Sequence, residues 1–203
     1  MKYKTEQERF WAEEFGDEYC KRNTSIIKSN INFFSKVFNR VEKVNSVIEF
    51  GANIGMNLQA LNAISNLELS AVEINKTAVE ELEKLEFIQE IYNESLLNIE
   101  LSKKFDMTLI KGVLIHINPE YLKVVYEKLY NYSKKYILIV EYYNPMPVEI
   151  SYRGHEGKLF KRDFAGEMLD MYKDLSLVDY GFLYHRDNNF PQDDMTWFLL
   201  EKK

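Results

Sequence analysis

Cysteine is nearly absent from this chain: the 203 residues contain one, Cys20. No internal disulfide can form and no cysteine-based metal site exists, so Cys20 is read as a small helix residue. Glycine occurs eight times and proline four, and no Gly/Ser-rich linker, low-complexity tract or internal repeat divides the sequence. That reads as one domain with a substantial core. Long hydrophobic runs are missing as well. The longest plain aliphatic run, Ile137-Leu138-Ile139-Val140, is far too short to span a bilayer, and the stretch Met1 to Arg9 has no apolar signal core. These absences predict a cytoplasmic protein with no membrane partner. Blocks of Lys or Arg are lacking too, and the net charge is −6, which argues against nucleic acid as a main partner. A local basic cluster at Lys158, Lys161 and Arg162 leaves room for a small anion.

What is present is ordinary for a globular protein, 46% hydrophobic and 29% charged, with many aromatics. Residues 5–39 read as helical, interrupted around Gly16-Asp17, with a second amphipathic stretch through Ile27, Ile31, Phe34 and Phe38. From residue 44 strands and helices alternate. Strands are predicted at 44–50, 67–72, 87–91, 105–110 and 136–140, and helices at 56–64, 76–85 (capped by Asn75) and from Asn118-Pro119-Glu120 onward. The segment 142–147 is a turn-rich loop and 151–161 an insertion carrying Gly154, His155 and Gly157. A helix at 163–172 then precedes two strands, 175–184 and 195–200, joined by the polar loop 186–194. The pattern predicts an α/β fold: a Rossmann-like, seven-stranded, mostly parallel sheet with an antiparallel terminal strand pair and N-terminal helices.

Two of the eight glycines sit four residues apart in Glu49-Phe50-Gly51-Ala52-Asn53-Ile54-Gly55, between the first strand and its helix. Small residues there let backbone N–H groups and the helix N-terminus face a ligand. The spacing is not the dinucleotide fingerprint, because Asn53 stands where that motif has its middle glycine and crowds a pyrophosphate. A ligand without phosphates asks less: its carboxylate and amino group need only backbone groups and an acid such as Glu49. Glu73, 22 residues beyond Gly51 at the tip of the second strand, suits both hydroxyls of a ribose.

These residues, with Lys111-Gly112-Val113-Leu114-Ile115-His116-Ile117, resemble the class I S-adenosylmethionine-dependent methyltransferases. Phe10-Trp11-Ala12-Glu13-Glu14-Phe15-Gly16-Asp17-Glu18-Tyr19, Arg22-Asn23 and Gly112 to Pro119 narrow the resemblance to methylases associated with pseudaminic acid biosynthesis. The resemblance implies S-adenosylmethionine as cofactor. Gly51, Asn53 and Gly55 would line its methionine end, Glu73 its ribose, Glu94 and Ser95 its adenine, and Lys111, Gly112 and Val113 the region of the methyl donor. It also implies residues 1–40 as a helical lid over a 41–203 catalytic domain, and a small sugar or sugar-nucleotide acceptor methylated on a hydroxyl.

Within that frame Trp11, Phe15 and Tyr19 either close over the cofactor, with Arg22 and Asn23 reaching its carboxylate, or simply pack an amphipathic helix. His116 is either the base for the acceptor hydroxyl or a packing residue. His155 is its rival, in the insertion where such enzymes often build acceptor pockets, with Tyr152 beside it; His185 ranks below both. Tyr142 and Tyr143 suit a sugar ring or a sulfonium. No metal spacing is found. Two other readings stay open: a nicotinamide-dependent oxidoreductase, which Asn53 disfavours, and a domain that binds S-adenosylmethionine without turnover.

Overall fold

The computed structural model describes residues 3–22 and 27–203. Three helices come first: α1 (Glu6–Ala12), α2 (Glu14–Arg22) and α3 (Ile27–Phe38). Thr5 and Glu8 make a reciprocal capping box at the start of α1: the Thr5 hydroxyl accepts from the Glu8 N–H at 3.1 Å, and the Glu8 carboxylate accepts from the Thr5 N–H at 2.9 Å. The expected interruption at Gly16 is displaced. The break falls at Glu13, whose backbone is extended, and Gly16 lies inside α2. Its smallness serves packing, since a Cβ there would sit 1.9 Å from the Trp11 carbonyl oxygen at the end of α1.

The α/β body follows as β1 (Ser46–Phe50), α4 (Met56–Ile64), β2 (Glu68–Glu73), α5 (Lys76–Leu82), β3 (Ile88–Asn93), β4 (Phe105–Lys111), α6 (Leu122–Tyr132), β5 (Ser133–Glu141), β6 (Val148–Tyr152), β7 (His155–Lys161), α7 (Phe164–Met171), β8 (Leu175–Phe182) and β9 (Thr196–Lys202). Seven strands form one sheet in the order β3-β2-β1-β4-β5-β9-β8. The first five are parallel, while β9 runs antiparallel to β5 and β8 to β9. This is the predicted fold class. Among the described residues no helix is long and apolar enough to cross a membrane.

Two differences have local causes. The insertion after β5 is a hairpin, β6 paired with β7, separate from the main sheet; its glycines masked the strand pattern. The helix expected from Asn118 begins as a short 3-10 turn, Pro119–Tyr121, where the Asn118 side chain accepts from the Glu120 N–H at 3.0 Å, and only then becomes α6.

Strand alternation divides the core. Val47, Leu69, Met107, Leu109, Leu138 and Val140 face α3 and α4 and pack with Phe33, Phe34, Leu58 and Leu61. Ile48, Phe50, Ile110, Ile137 and Ile139 face α6 and α7 and pack with Val125, Leu129, Phe164 and Met168. Both faces of the parallel strands are covered, so β1 is buried at every position and from Val47 reads as an apolar run broken by Glu49. Burial of each large aliphatic or aromatic chain contributes about 1.5–3 kcal/mol. The same parity sorts the charged residues near the strand ends: Glu49, Glu73 and Lys111 extend the α3/α4 face, whereas Glu141 extends the α6/α7 face.

Candidate active site

A cavity of about 640 Å³ opens at the carboxyl ends of β1, β2 and β4, where the strand order reverses between β1 and β4. Open α/β sheets bind ligands at such a switch point. Its floor is the turn after β1. Gly51 has φ +76°, and a Cβ there would lie 2.5 Å from Val113 Cγ2, so the turn after β4 closes against it. Asn53 holds φ +48°, a left-handed conformation asparagine tolerates better than most side chains. Its N–H donates to Glu73 Oε2 at 2.7 Å, and the Asn75 N–H donates to Oε1 at 2.8 Å. Burial raises the Glu73 carboxyl above its ordinary value, against the backbone N–H groups of Asn75, Asn53 and Ile74 that lower it.

Gly51, Asn53, Glu73, Glu94, Ser95, Lys111, Gly112 and Val113 all reach the cavity, as do Tyr19, His116, Tyr142 and Tyr152. Four predicted site residues do not. Gly55 caps α4 with φ +79°, and a Cβ there would meet Leu82 and Leu85 at 2.8 Å, so its smallness serves the contact with α5. Glu49 is fully buried below the cavity. Its Oε1 accepts from the Asn57 side-chain amide, its Oε2 has no partner among the described residues, and burial pushes its carboxyl up to about 8. Tyr143 is 41% exposed and points to Phe198 instead, because residues next to each other after a strand face opposite ways. His155 sits at the start of β7, with its ring 5.0 Å from Phe10 and 5.9 Å from Phe15, outside the cavity. Asn23 and the side chain of Arg22 lie outside the described residues. The basic cluster is spoken for as well: Lys158 pairs with Glu6, Arg162 with Glu167, and Lys161 lies over the Tyr142 ring.

Lys111 is the most heavily held group. Its ammonium donates to Asn30 Oδ1 at 2.9 Å, Gln192 Oε1 at 3.0 Å and Asn57 Oδ1 at 3.3 Å, which uses all three of its N–H donors. Burial pulls its pKa down to about 8, against the pull of Glu49 and Asp193. The ammonium ties α3, α4, β4 and the loop before β9 into one wall.

The N-terminal helices form another wall. Thr5, Glu8, Trp11 and Tyr19 line the cavity, and Glu8 is hydrogen-bonded to the Ser95 hydroxyl. The Gln7 amide donates to the Gly157 carbonyl at 2.8 Å, which joins α1 to the β6–β7 hairpin. Trp11 packs 4.5 Å from the His116 ring and 5.2 Å from Tyr19, and its buried Nε1–H has no partner among the described residues. Cys20 is buried, with burial pushing its thiol up to about 11, and its Sγ reaches Asn53 Oδ1 at 3.2 Å.

Glu141, at the end of β5, accepts from the Val113 and Leu114 N–H groups at 2.9 Å and holds the 3-10 turn Leu114–His116. That turn presents His116, whose Nδ1 is 2.6 Å from the Lys158 carbonyl. A carbonyl only accepts, so Nδ1 carries the proton and Nε2 the lone pair. Burial pushes the His116 pKa down to about 4.

Sequence reasoning passed over four contributors: Glu8, Asn57, and Gln192 and Asp193 on the loop before β9. The Thr5-x-x-Glu8 spacing signals a helix start, but it does not show that the helix crosses the sheet edge. The loop residues come from about 80 positions away from Lys111 and carry no local pattern.

No family model matches the sequence, and no curated protein matches it. The fold has solved counterparts. An S-adenosylmethionine-dependent methyltransferase from Leishmania major aligns with a TM-score of 0.72 at 13% identity, over 97% of this chain and 81% of that one. The 1,6-didemethyltoxoflavin N1-methyltransferase of Burkholderia thailandensis, solved with S-adenosylhomocysteine, gives 0.71 at 11% identity over 97% and 87%. The magnesium protoporphyrin IX methyltransferase of Synechocystis PCC 6803, solved with S-adenosylmethionine, gives 0.66 at 11% identity over the full length of both chains. Strand order, the antiparallel final pair and these alignments agree: the chain has the fold of the class I S-adenosylmethionine-dependent methyltransferases.

Proposed function

We propose that this chain is an S-adenosylmethionine-dependent methyltransferase that methylates a hydroxyl of a small sugar or sugar acid. The observation that carries the cofactor reading is the Glu73 carboxylate on the cavity wall at the tip of β2. Its oxygens take the backbone N–H groups of Asn53, Asn75 and Ile74 and keep lone-pair capacity for a ribose hydroxyl. The orphan donor on Trp11 and the turn at Gly51, which a Cβ would block, fit a nucleoside with polar edges.

In this reading Gly51, Asn53 and Gly112 hold the methionine end and Glu94 and Ser95 the adenine side, while α1 and α2 act as a lid. A sulfonium methyl is already activated, so when bound the cofactor supplies the electrophile. The chain's own residues align the acceptor, exclude water and accept a proton. Tyr142 and Tyr152 offer aromatic faces to a sugar ring, which agrees with the resemblance to pseudaminic-acid methylases. His116 packs beside Trp11 and keeps the turn after β4 in place.

Calorimetry with S-adenosylhomocysteine and with NADH tests the cofactor; preferential binding of NADH reverses the assignment. Labelled S-adenosylmethionine incubated with a panel of sugars, sugar acids and sugar nucleotides tests the acceptor. Label on none of them, from a protein that binds S-adenosylhomocysteine, points to a binding module.

A further inference from the structure

Two histidines line the cavity, and only one of them is joined to a carboxylate. His185 lies just after β8, and Asp194 lies just before β9. The His185 backbone N–H donates to Asp194 Oδ1 at 3.0 Å, and its ring Nδ1 is 2.8 Å from both Asp194 oxygens. A carboxylate accepts and does not donate, so Nδ1 carries the proton and the ring lone pair is on Nε2. Nε2 has no partner among the described residues. Asp193, the neighbour of Asp194, faces the cavity with Tyr142 and Arg153, and Arg153 makes no ion pair among the described residues.

The other cavity histidine is a poor proton acceptor. His116 is enclosed by Trp11, Tyr152 and the Lys158 carbonyl, with no acid to stabilise its charged form. An imidazolium at His185 would be paired with Asp194 and, with the side chain 56% exposed, would stay in contact with water.

Resting on the methyl-transfer reading above, we propose that His185, oriented by Asp194, is the base that takes the hydroxyl proton from the acceptor, and that Arg153 selects an acceptor carrying a carboxylate. In that step the acceptor oxygen bonds to the methyl carbon. The carbon–sulfur bond breaks with its electron pair going to sulfur, and the hydroxyl proton passes to His185 Nε2. The imidazolium then returns the proton to water. The charged and titratable groups beside the ring on its own loop are Tyr184, Asp193 and Asp194, with Lys161 acting on the Asp194 carboxylate, while Tyr142 and Arg153 line the same cavity from other elements.

The chain has three histidines, so nitrogen-15 NMR of the imidazoles can be assigned by single substitutions. His185 is expected in the Nδ1–H tautomer, and Asp194→Ala, which removes the acceptor, should shift the ring towards Nε2–H. An Nε2–H tautomer in the wild type, or a tautomer unmoved by Asp194→Ala, overturns the assignment. In turnover with labelled S-adenosylmethionine on sugar acids, His185→Asn is expected to lower kcat by about 100-fold or more. Its affinity for S-adenosylhomocysteine should be unchanged, and a full rate in that variant also overturns the role. Arg153→Gln should raise KM for sugar acids and leave neutral sugars unaffected; equal effects on both refute the carboxylate preference. Failure of the wild type to bind S-adenosylhomocysteine instead removes the methyl-transfer reading itself, so the two failures are distinguishable.

Discussion

Replacing Glu73 by glutamine changes one atom and separates the ribose role from a merely structural one. In the wild type Oε2 holds the Asn53 N–H at 2.7 Å and Oε1 the Asn75 N–H at 2.8 Å. Glutamine keeps one acceptor and turns the other oxygen into an amide that faces a backbone N–H. One buried donor then loses its partner, which costs about 1–3 kcal/mol of stability. The loss for a ribose is larger. One charge-assisted bond, worth about 1.5–3 kcal/mol, disappears, and the other becomes neutral. Together these amount to about 2–4 kcal/mol, or roughly 30- to 900-fold in Kd for S-adenosylhomocysteine. Calorimetry measures the affinity, and urea denaturation in parallel shows how much of the change is unfolding. Adenosine and 2′,3′-dideoxyadenosine give the internal control, since the wild type should prefer adenosine strongly and Glu73→Gln only weakly. The reasoning is refuted if a folded Glu73→Gln binds S-adenosylhomocysteine with wild-type affinity or discriminates between the two nucleosides as strongly as the wild type.

Lys111→Met leaves the oxygens of Asn30, Asn57 and Gln192 without the ammonium. It should cost about 1–3 kcal/mol for the acceptors left unsatisfied, with faster amide exchange in the loop before β9; a loss below about 0.5 kcal/mol contradicts the wall-tying role. Gly51→Ala combines a strained φ of +76° with a Cβ 2.5 Å from Val113 Cγ2. Each component costs about 1–3 kcal/mol, and adding Val113→Ala should recover the clash but not the strain, as read from denaturation midpoints. His116 has a folded pKa pushed down to about 4 from an ordinary 6.5. Its contribution is therefore present above pH 6.5 and lost as pH falls towards 4, so the wild type should lose about 3 kcal/mol more than His116→Gln between pH 7 and pH 4. Glu141 has the opposite sign, because burial raises its pKa to about 7. Its contribution is present below the ordinary carboxylate range and lost as pH rises through 7, so the stability gap between wild type and Glu141→Gln should narrow by about 3 kcal/mol from pH 4.5 to pH 9, and a constant gap removes the argument.

Much of the fold was legible because helix and strand periods alternate cleanly from residue 44. α4 falls on the predicted 56–64, and Asn75 caps α5 by accepting from the Ala78 N–H at 2.8 Å. The β6–β7 hairpin was not legible, since Gly154 and Gly157 at positive φ read locally as loop. The site divides in the same way. Gly51, Asn53 and Glu73 follow from one strand–turn–helix unit and its neighbour, where sequence separation determines spatial separation. His155 was misplaced because a residue's position within a hairpin depends on the register with the partner strand, which its own neighbours do not encode. The link of His185 to Asp194 was not legible for the same reason: it is made across the gap between two strands that only the sheet brings together.

The acids at strand ends show why a motif needs its sheet before it becomes a site. β1, β2 and β5 carry Glu49, Glu73 and Glu141 at their carboxyl ends. Glu141 is on the α6/α7 face, and three backbone N–H groups of the turn after β4 occupy it. Glu49 and Glu73 share the α3/α4 face, yet they differ in cover. Asn57 on the first turn of α4 lies over Glu49 and passes its other amide atom to Lys111, so no ligand reaches that carboxylate directly. The first turn of α5 does not cover Glu73, because Asn75 uses its side chain to cap the helix and its backbone N–H to hold Glu73 from the side. The carboxylate thus stays oriented and open to the cavity, and it is this difference in helix starts, not the presence of an acid, that makes β2 the ribose-binding strand in the proposed function.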